Sequence, residues 1–423
     1  MRNYNFLFIL CIFLFGNWIF FNKNESLKNN FAKSLCYANS VKSTVFDAHK
    51  KFRSSTDEIV LIKIYSQQKV NSFSISSENG SYSVWANGKE ITNTTKSPVI
   101  KLSYVNDSVE VRAFESIIGR YKKVKISSSD FLKSIRIKLI SPDKKPRFYE
   151  DNLIVDTELG YLKLVNEIVL DDYISGVVQA ESGRRSPPEF YKVQAILART
   201  FALSHLEKHA TENFNLCDHT HCQAYFGKTT ETEIMKAVTI TKDKVVVDEH
   251  LNLIDAAFHS NSGGQTANSE DVWGKKLSYL RSVNDSFSVK MPNAKWERKM
   301  PKDDWLSYLK LKHNYPIENA DARMTALNFN QEFRKSFLES SSIKVPLKNV
   351  RTDLQLKSTF FSITEYGDTV VFKGRGFGHG VGMCQEGAMK MAKLGYKYYE
   401  MINFYYQNIQ MIDLHQLNFF KDE

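Results

Sequence analysis

Cysteine is scarce in this chain: five residues in 423, too few and too dispersed for a disulfide scaffold. Nine prolines and 19 glycines exclude a collagen-like fibre. There is a single long apolar run, at the N-terminus, so a multi-span membrane protein is excluded. No coiled-coil composition is present either. Blocks of like charge are also missing. The 57 Lys and Arg outnumber 47 Asp and Glu to give a formal net charge of +10, but they are scattered. That balance favours an anionic partner (nucleic acid, a lipid surface or an acidic polymer such as a cell wall) without choosing among them. What is present is ordinary for a globular protein: 42% hydrophobic and 25% charged residues, which rules out wholesale disorder. At ~100–200 residues per domain, the length allows two or three domains.

Arg2 precedes the apolar run Phe6–Phe21, broken only by Gly16 and Asn17. Such a run reads as an export signal or a membrane anchor over residues 1–21. No small-x-small cleavage site follows closely, and Ala32-Lys33-Ser34 is distant and poor. Neither Cys11 nor Cys36 has the setting of a lipidated cysteine. Residues 22–57 are Asn-, Lys- and Ser-rich and read as a polar tether. From Glu58 to 147 short β-branched or alternating segments recur, with Asn79-Gly80 and Asn87-Gly88 as hairpin turns. This is a β-rich N-terminal region without evident chemistry.

Chemistry-bearing residues begin near Leu170. Asp171-Asp172 suits the cap of a helix from Tyr173 to Ala180, stopped by Ser182-Gly183. Tyr173, Val177 and Glu181 then share one face. A carboxyl group against an apolar wall holds its proton to higher pH, as a general acid requires. The bland alternative is an ordinary surface Glu at a helix end. Ser186 and Glu189 around Pro187-Pro188 read as a capping box for a second helix, in which Phe190, Val193, Leu197 and Phe201 repeat at helical spacing. That helix is expected to continue toward His209, with Arg199 reaching a carboxylate or backbone carbonyls.

His209 and the segment Cys217-Asp218-His219-Thr220-His221-Cys222 concentrate two Cys and three of the ten His near the next loop. Tetrahedral zinc can draw on Cys217, Cys222, His209 and one of His219 or His221, in a structural role because four ligands leave no open position. A short disulfide between Cys217 and Cys222 is the alternative. The segment Ala257 to Gly264 crowds polar side chains around a glycine pair, as a cleft-lining loop or a hydrogen-bonded turn does. Gly374 to Gly382 carries glycine at every second position, which allows close backbone apposition presenting Arg375 and His379. A helix Met383–Leu394, ended by Gly395, follows. Cys384 is either a thiol nucleophile or, flanked by Met383 and Ala388, a buried inert cysteine.

Five blocks also carry a resemblance: Gly176 to Glu181, Gln194 to Thr200, Cys217 to Tyr225, Phe258 to Thr266 with Val272-Trp273-Gly274, and Gly374 to Ala388. Their order and spacing resemble the SpoIID/LytB family, named for stage II sporulation protein D, over roughly residues 148–411, within a catalytic domain expected over 148–415. The resemblance implies an α+β protein with a mixed α/β catalytic domain behind the β-rich region. It implies a peptidoglycan lytic transglycosylase acting on strands stripped of stem peptides, although other members are described as amidase enhancers. Glu181 matches the catalytic glutamate and the Cys217/Cys222 block the zinc-binding segment. On this basis the expected metal ligands are Cys217, Cys222, His209 and His221. Arg375, His379, Ser260, Ser262, Gly263 and Gly264 are expected to hold the sugar.

The expected partners are peptidoglycan glycan strands and other cell-wall hydrolases, with no nucleic acid, in an exported, periplasmic or cell-envelope location, with the N-terminal segment as a signal or an anchor. A glycoside hydrolase normally needs two carboxylates, whereas a lytic transglycosylase can use one, because the muramyl 6-hydroxyl is its own nucleophile. Two alternatives stand beside it: a non-catalytic wall-binding protein that enhances an amidase, and a zinc hydrolase using metal-bound water.

Overall fold

The computed structural model describes residues 58–416, apart from 78–79, 115, 129–133 and 341–342. The expected signal or anchor (1–21) and the tether (22–57) lie outside the described residues, as does Asn79. Among the described residues no helix is long and apolar enough to cross a membrane. The architecture is α+β, with the β-rich region at the N-terminal side.

Two sheets form that region, one antiparallel and one antiparallel except for a parallel edge strand. One has six strands running, edge to edge, from Arg147–Glu150 through Ser134–Ser141, Ser72–Ser77, Ile100–Val105 and Ser108–Ala113 to Ser116–Tyr121. The other has seven, with Tyr161–Val169, Asn152–Glu158 and Val124–Ser127 at its centre and Ile59–Ile64 next to one edge. Alternation along Ile59–Ile64 buries Val60, Ile62 and Ile64, as a strand with one face on a core requires. The Asn87-Gly88 turn closes its hairpin with positive φ at both residues (51° and 75°), the conformation that matches strand twist.

The expected boundary at 147/148 runs through shared structure. Ile59–Ile64 pairs antiparallel with Tyr161–Val169 and parallel with Leu216–Cys217. One apolar core continues from Val60 to Val238, so the sheets and the first helices pack as a unit. A second core gathers Phe190, Val193 and Leu197 with Val381, Met383 and Tyr405. A third lies between the four-stranded sheet containing Lys295–Pro301 and Thr369–Arg375 and the helices Lys302–His313, Ala320–Leu327 and Leu347–Asp353.

Helix limits differ from expectation where caps were inferred. The first helix is Leu170–Ser182, with Val169 as N-cap and no side-chain cap; Asp171 and Asp172 lie inside its first turn. Asp171 instead accepts two hydrogen bonds from Arg199, at 2.7 and 3.2 Å. The second helix, Pro188–Ser204, is capped by Pro187 with no capping box. Ser186 Oγ donates to the Ser182 carbonyl, and Glu189 pairs with Lys192. This helix stops at Ser204, and a separate 3-10 turn, Ala210–Glu212, follows His209. Met383 and Cys384 form a short strand rather than a helical turn; the helix is Gln385–Lys393.

Candidate active site and metal centre

Glu181 sits in the last turn of Leu170–Ser182, where Tyr173 and Val177 on the same face are fully buried. Gly183 then turns the chain away with φ 67°. A close approach positions the carboxylate: a Cβ on Gly176 would stand 2.5 Å from the Gly227 carbonyl oxygen and from the Tyr225 ring. Only glycine lets the helix lie on this loop. The same loop delivers the Ala224 N–H, which donates to Glu181 Oε1 at 3.1 Å. No cation pairs with Glu181 among the described residues. Burial therefore raises its proton affinity above the usual carboxylate range, against a smaller lowering by the Ala224 N–H.

Glu181 lines a cleft of about 620 Å³ together with Phe201, Lys208, His221, Gln223, Asp255, Phe258, His259, Ser260, Trp273, His379 and Gln385. Its size suits one or two sugar rings with aromatic and polar walls. The parallel pairing of Phe258–His259 with Met383–Cys384 brings the two glycine-containing segments together at its floor. His379 is held rigidly: Nε2 meets the Phe258 carbonyl at 2.9 Å and Nδ1 meets the Val381 N–H at 3.1 Å. Burial lowers its pKa to about 4, so a neutral ring faces the cleft. Trp273, exposed by 43%, lies 5.4 Å from that ring and offers a sugar-stacking face.

Several expected site residues stand elsewhere. Arg375 ends the strand Thr369–Arg375 and lies over Phe360 at 3.6 Å, donating to the carbonyls of Gln331 and Glu332. It faces a second cavity of about 790 Å³ beside Trp296, because strand pairing rather than the glycine run sets its direction. Ser262 is fully buried and bonds Asp285 and Ser288. Gly263 packs against the Arg375 backbone, and neither it nor Gly264 lines the cleft. These residues shape the loop from behind. Ser260 does line the cleft, and its Oγ accepts from Asn293 at 3.3 Å. His259 and Ser260 are not bonded to each other; His259 Nδ1 meets the Val381 carbonyl instead. Cys384 is a buried thiol that accepts the N–H groups of Ser262 and Gly387, and burial pushes it well above the usual thiol range. It is an inert cap for the helix that follows.

Beside the cleft, one ligand atom each from His209, Cys217, His221 and Cys222 lies within 4.8 Å of all the others. His221 Nδ1 is 3.8 Å from each sulfur, and His209 Nε2 is 3.5 Å from Cys222. The two cysteines are unbonded thiols. The proton of Cys217 is loosened chiefly by its hydrogen-bonded neighbour Cys222, then by His221 and the His219 N–H, against the opposing effect of burial. On the far side of its ring, His209 Nδ1 contacts Glu212 at 2.6 Å, an outer contact that fixes ring orientation in metal sites. A Cys2His2 donor set of this compactness fits tetrahedral zinc, with His219 turned instead to Gln67.

The edge of the seven-stranded sheet holds this centre. Cys217 extends the sheet edge opposite Lys63, and Asp218 accepts from the Tyr65 and Ser66 N–H groups while pairing with Arg147. Sequence reasoning missed Asp218 as a tie, and it missed Asp255 and Trp273 as cleft residues. Asp255 follows an apolar strand-like run, a placement that says nothing of which cavity it meets.

A family model described as "SpoIID: Stage II sporulation protein" matches residues 158–247. Stage II sporulation protein D of Bacillus subtilis (strain 168) is 30% identical over 263 residues, covering 58% of this chain and 75% of that protein. An uncharacterised protein of Brachyspira hyodysenteriae is 29% identical over 279 residues, 64% of this chain and 71% of the other. A Bacillus subtilis protein named amidase enhancer is 27% identical over 285 residues, 55% of this chain but 39% of its own length.

Proposed function

The chain belongs to the SpoIID family of stage II sporulation proteins, and from that premise we propose that it cleaves peptidoglycan glycan strands as a lytic transglycosylase in the cell envelope. The observation that carries this reading is Glu181: a carboxyl group without a cationic partner, made more basic by burial, at the wall of a sugar-sized cleft. Protonated Glu181 donates to the glycosidic oxygen between N-acetylmuramic acid and N-acetylglucosamine, and the anomeric C–O bond breaks. The resulting carboxylate takes the proton of the muramyl 6-hydroxyl, whose oxygen bonds to the anomeric carbon and closes the anhydro ring. Glu181 ends protonated again. The intramolecular hydroxyl has a high effective concentration, so no second base is needed.

His379 and His259 stay neutral and position the ring without competing for the proton. His209, Cys217, His221 and Cys222 would hold zinc, which when bound cross-links the loop that presents the Ala224 N–H to Glu181. No step of the reaction passes through it. A second reading rests on Asp255, another carboxylate on the cleft, which would let a water replace the internal hydroxyl.

Mass spectrometry of peptidoglycan, denuded and peptide-bearing, after incubation with the full chain tests both. Anhydro-muramyl ends from wild type and none from Glu181→Gln are expected. Hydrated reducing ends would transfer the assignment to hydrolysis with Asp255. Absence of either product from a folded, glycan-binding protein would refute cleavage and favour the enhancing role named for the Bacillus relative.

A further inference from the structure

Among the described residues that line the Glu181 cleft, Lys208 is the single lysine or arginine. It follows the helix Pro188–Ser204 and immediately precedes His209. Two contacts place its ammonium. Nζ donates to the His221 carbonyl at 2.5 Å, and it stands 6.0 Å from the centre of the Phe201 ring, another wall of the cleft. From His221 the chain runs through Cys222 and Gln223 to Ala224, whose N–H bonds Glu181. Three residues span at most about 10 Å when fully extended. The cation is therefore anchored to the same short loop that holds the candidate acid.

Lys208 makes no ion pair among the described residues, although Glu181 and Asp255 line the same cleft. The carbonyl uses one of its three N–H donors. Any neutral N–H could serve that carbonyl equally well, so the charge itself has no partner in the protein. The side chain is exposed, which leaves the remaining donors open to whatever enters the cleft.

An ammonium on a flexible stem meets an anion as a point charge and adds a charge-assisted hydrogen bond. We propose that Lys208 is a specificity-determining residue of this cleft, whose ammonium takes a carboxylate of a muramyl residue in the glycan strand. This rests on the glycan reading of the cleft. Two sources of that chemistry exist: the lactyl carboxylate, free only where the stem peptide is absent, and the terminal carboxylate of a stem peptide. Strands built only of N-acetylglucosamine offer neither.

The test is equilibrium binding by the full chain carrying Glu181→Gln, which on the proposed mechanism blocks turnover, with and without Lys208→Gln or Lys208→Arg. The probes are chitin oligomers and denuded and peptide-bearing glycan oligomers, the last two also with their carboxylates methyl-esterified. Loss of one exposed, charge-assisted pair predicts about 3- to 10-fold weaker binding of an acidic muramyl probe with Lys208→Gln. Lys208→Arg should keep the affinity. Esterification should weaken the Lys208 chain by the same factor and leave Lys208→Gln unaffected, and chitin binding should not change. A loss confined to denuded oligomers assigns the lactyl carboxylate; one confined to peptide-bearing oligomers assigns the stem peptide.

Lys208→Gln should unfold at the same temperature and carry the same metal content, because the side chain is exposed. A fall in either would show that Lys208 serves to hold the His221 loop, and would overturn the assignment. So would equal weakening on chitin and muramyl probes, unchanged binding of both acidic probes, or the same loss from Lys312→Gln on the helix Lys302–His313. Cleavage is scored separately in the Glu181-intact chain. A protein that releases no anhydro ends but still binds muramyl glycan through Lys208 would refute only the transglycosylase reading.

Discussion

Glu181→Gln is the most informative perturbation. Glutamine has nearly the same shape, and its amide oxygen can keep the 3.1 Å hydrogen bond from the Ala224 N–H. The fold and the cleft should therefore survive, while the transferable proton is gone. A positioned general acid or base contributes about 10²–10⁴ in rate, or about 3–5 kcal/mol of barrier. On the proposed mechanism Glu181 serves as both in turn, so the expected loss of kcat lies near the upper end. The pH profile supplies an independent check. Activity requires the protonated acid and falls on the alkaline side as pH passes the raised pKa of Glu181, not at the ordinary carboxylate value.

Stability follows the same sign. A carboxyl group with raised proton affinity in the folded state contributes stability that is complete below its unfolded pKa and is lost as pH rises through the folded one. Glu181→Gln should thus match wild type at pH 4 and equal or exceed it at pH 7. Rates of anhydro-end release between pH 4 and 9, with urea unfolding at both ends, measure each quantity. Retention of activity within tenfold, or a Gln variant less stable than wild type at pH 7, would refute the argument.

Arg199 is 1% exposed and serves Asp171 and the Thr241 carbonyl at 2.7 Å each. Arg199→Met leaves Asp171 without its cation and should destabilise by about 3–5 kcal/mol; a loss under about 1 kcal/mol in urea unfolding would contradict the buried pairing. Gly176→Ala forces the first helix off the Tyr225–Gly227 loop and should cost about 1–3 kcal/mol, with activity falling further than stability because Ala224 leaves Glu181. An unaltered rate would show that the close approach has no role in placing the carboxylate. The purified full chain should carry about one zinc per chain by elemental analysis, lost with Cys222→Ser. A full complement of metal in that variant would remove Cys222 from the ligand set.

Local features of the sequence were legible where short-range physics decides. The Phe190, Val193, Leu197 spacing marked a helix, and all three residues are buried in one core. Glycines 183 and 395 stop helices with positive φ, as their backbone freedom allows. His209, Cys217, His221 and Cys222 lie within fourteen residues, so a compact cluster needs only one loop. The i, i+4 step also placed Glu181 against apolar neighbours before any neighbouring element was known.

Capping was misread because Asp171 found a stronger partner in Arg199, 28 residues away, than in the helix end beside it. Arg375 left the cleft because its direction follows pairing with Lys295. Sequence alone thus determined the local elements and the candidate residues they hold. Tertiary structure decided which of those residues share a cleft. Periodicity reports the face a residue occupies on its own element, whereas strand pairing and helix packing across 100 or more residues decide what that face meets.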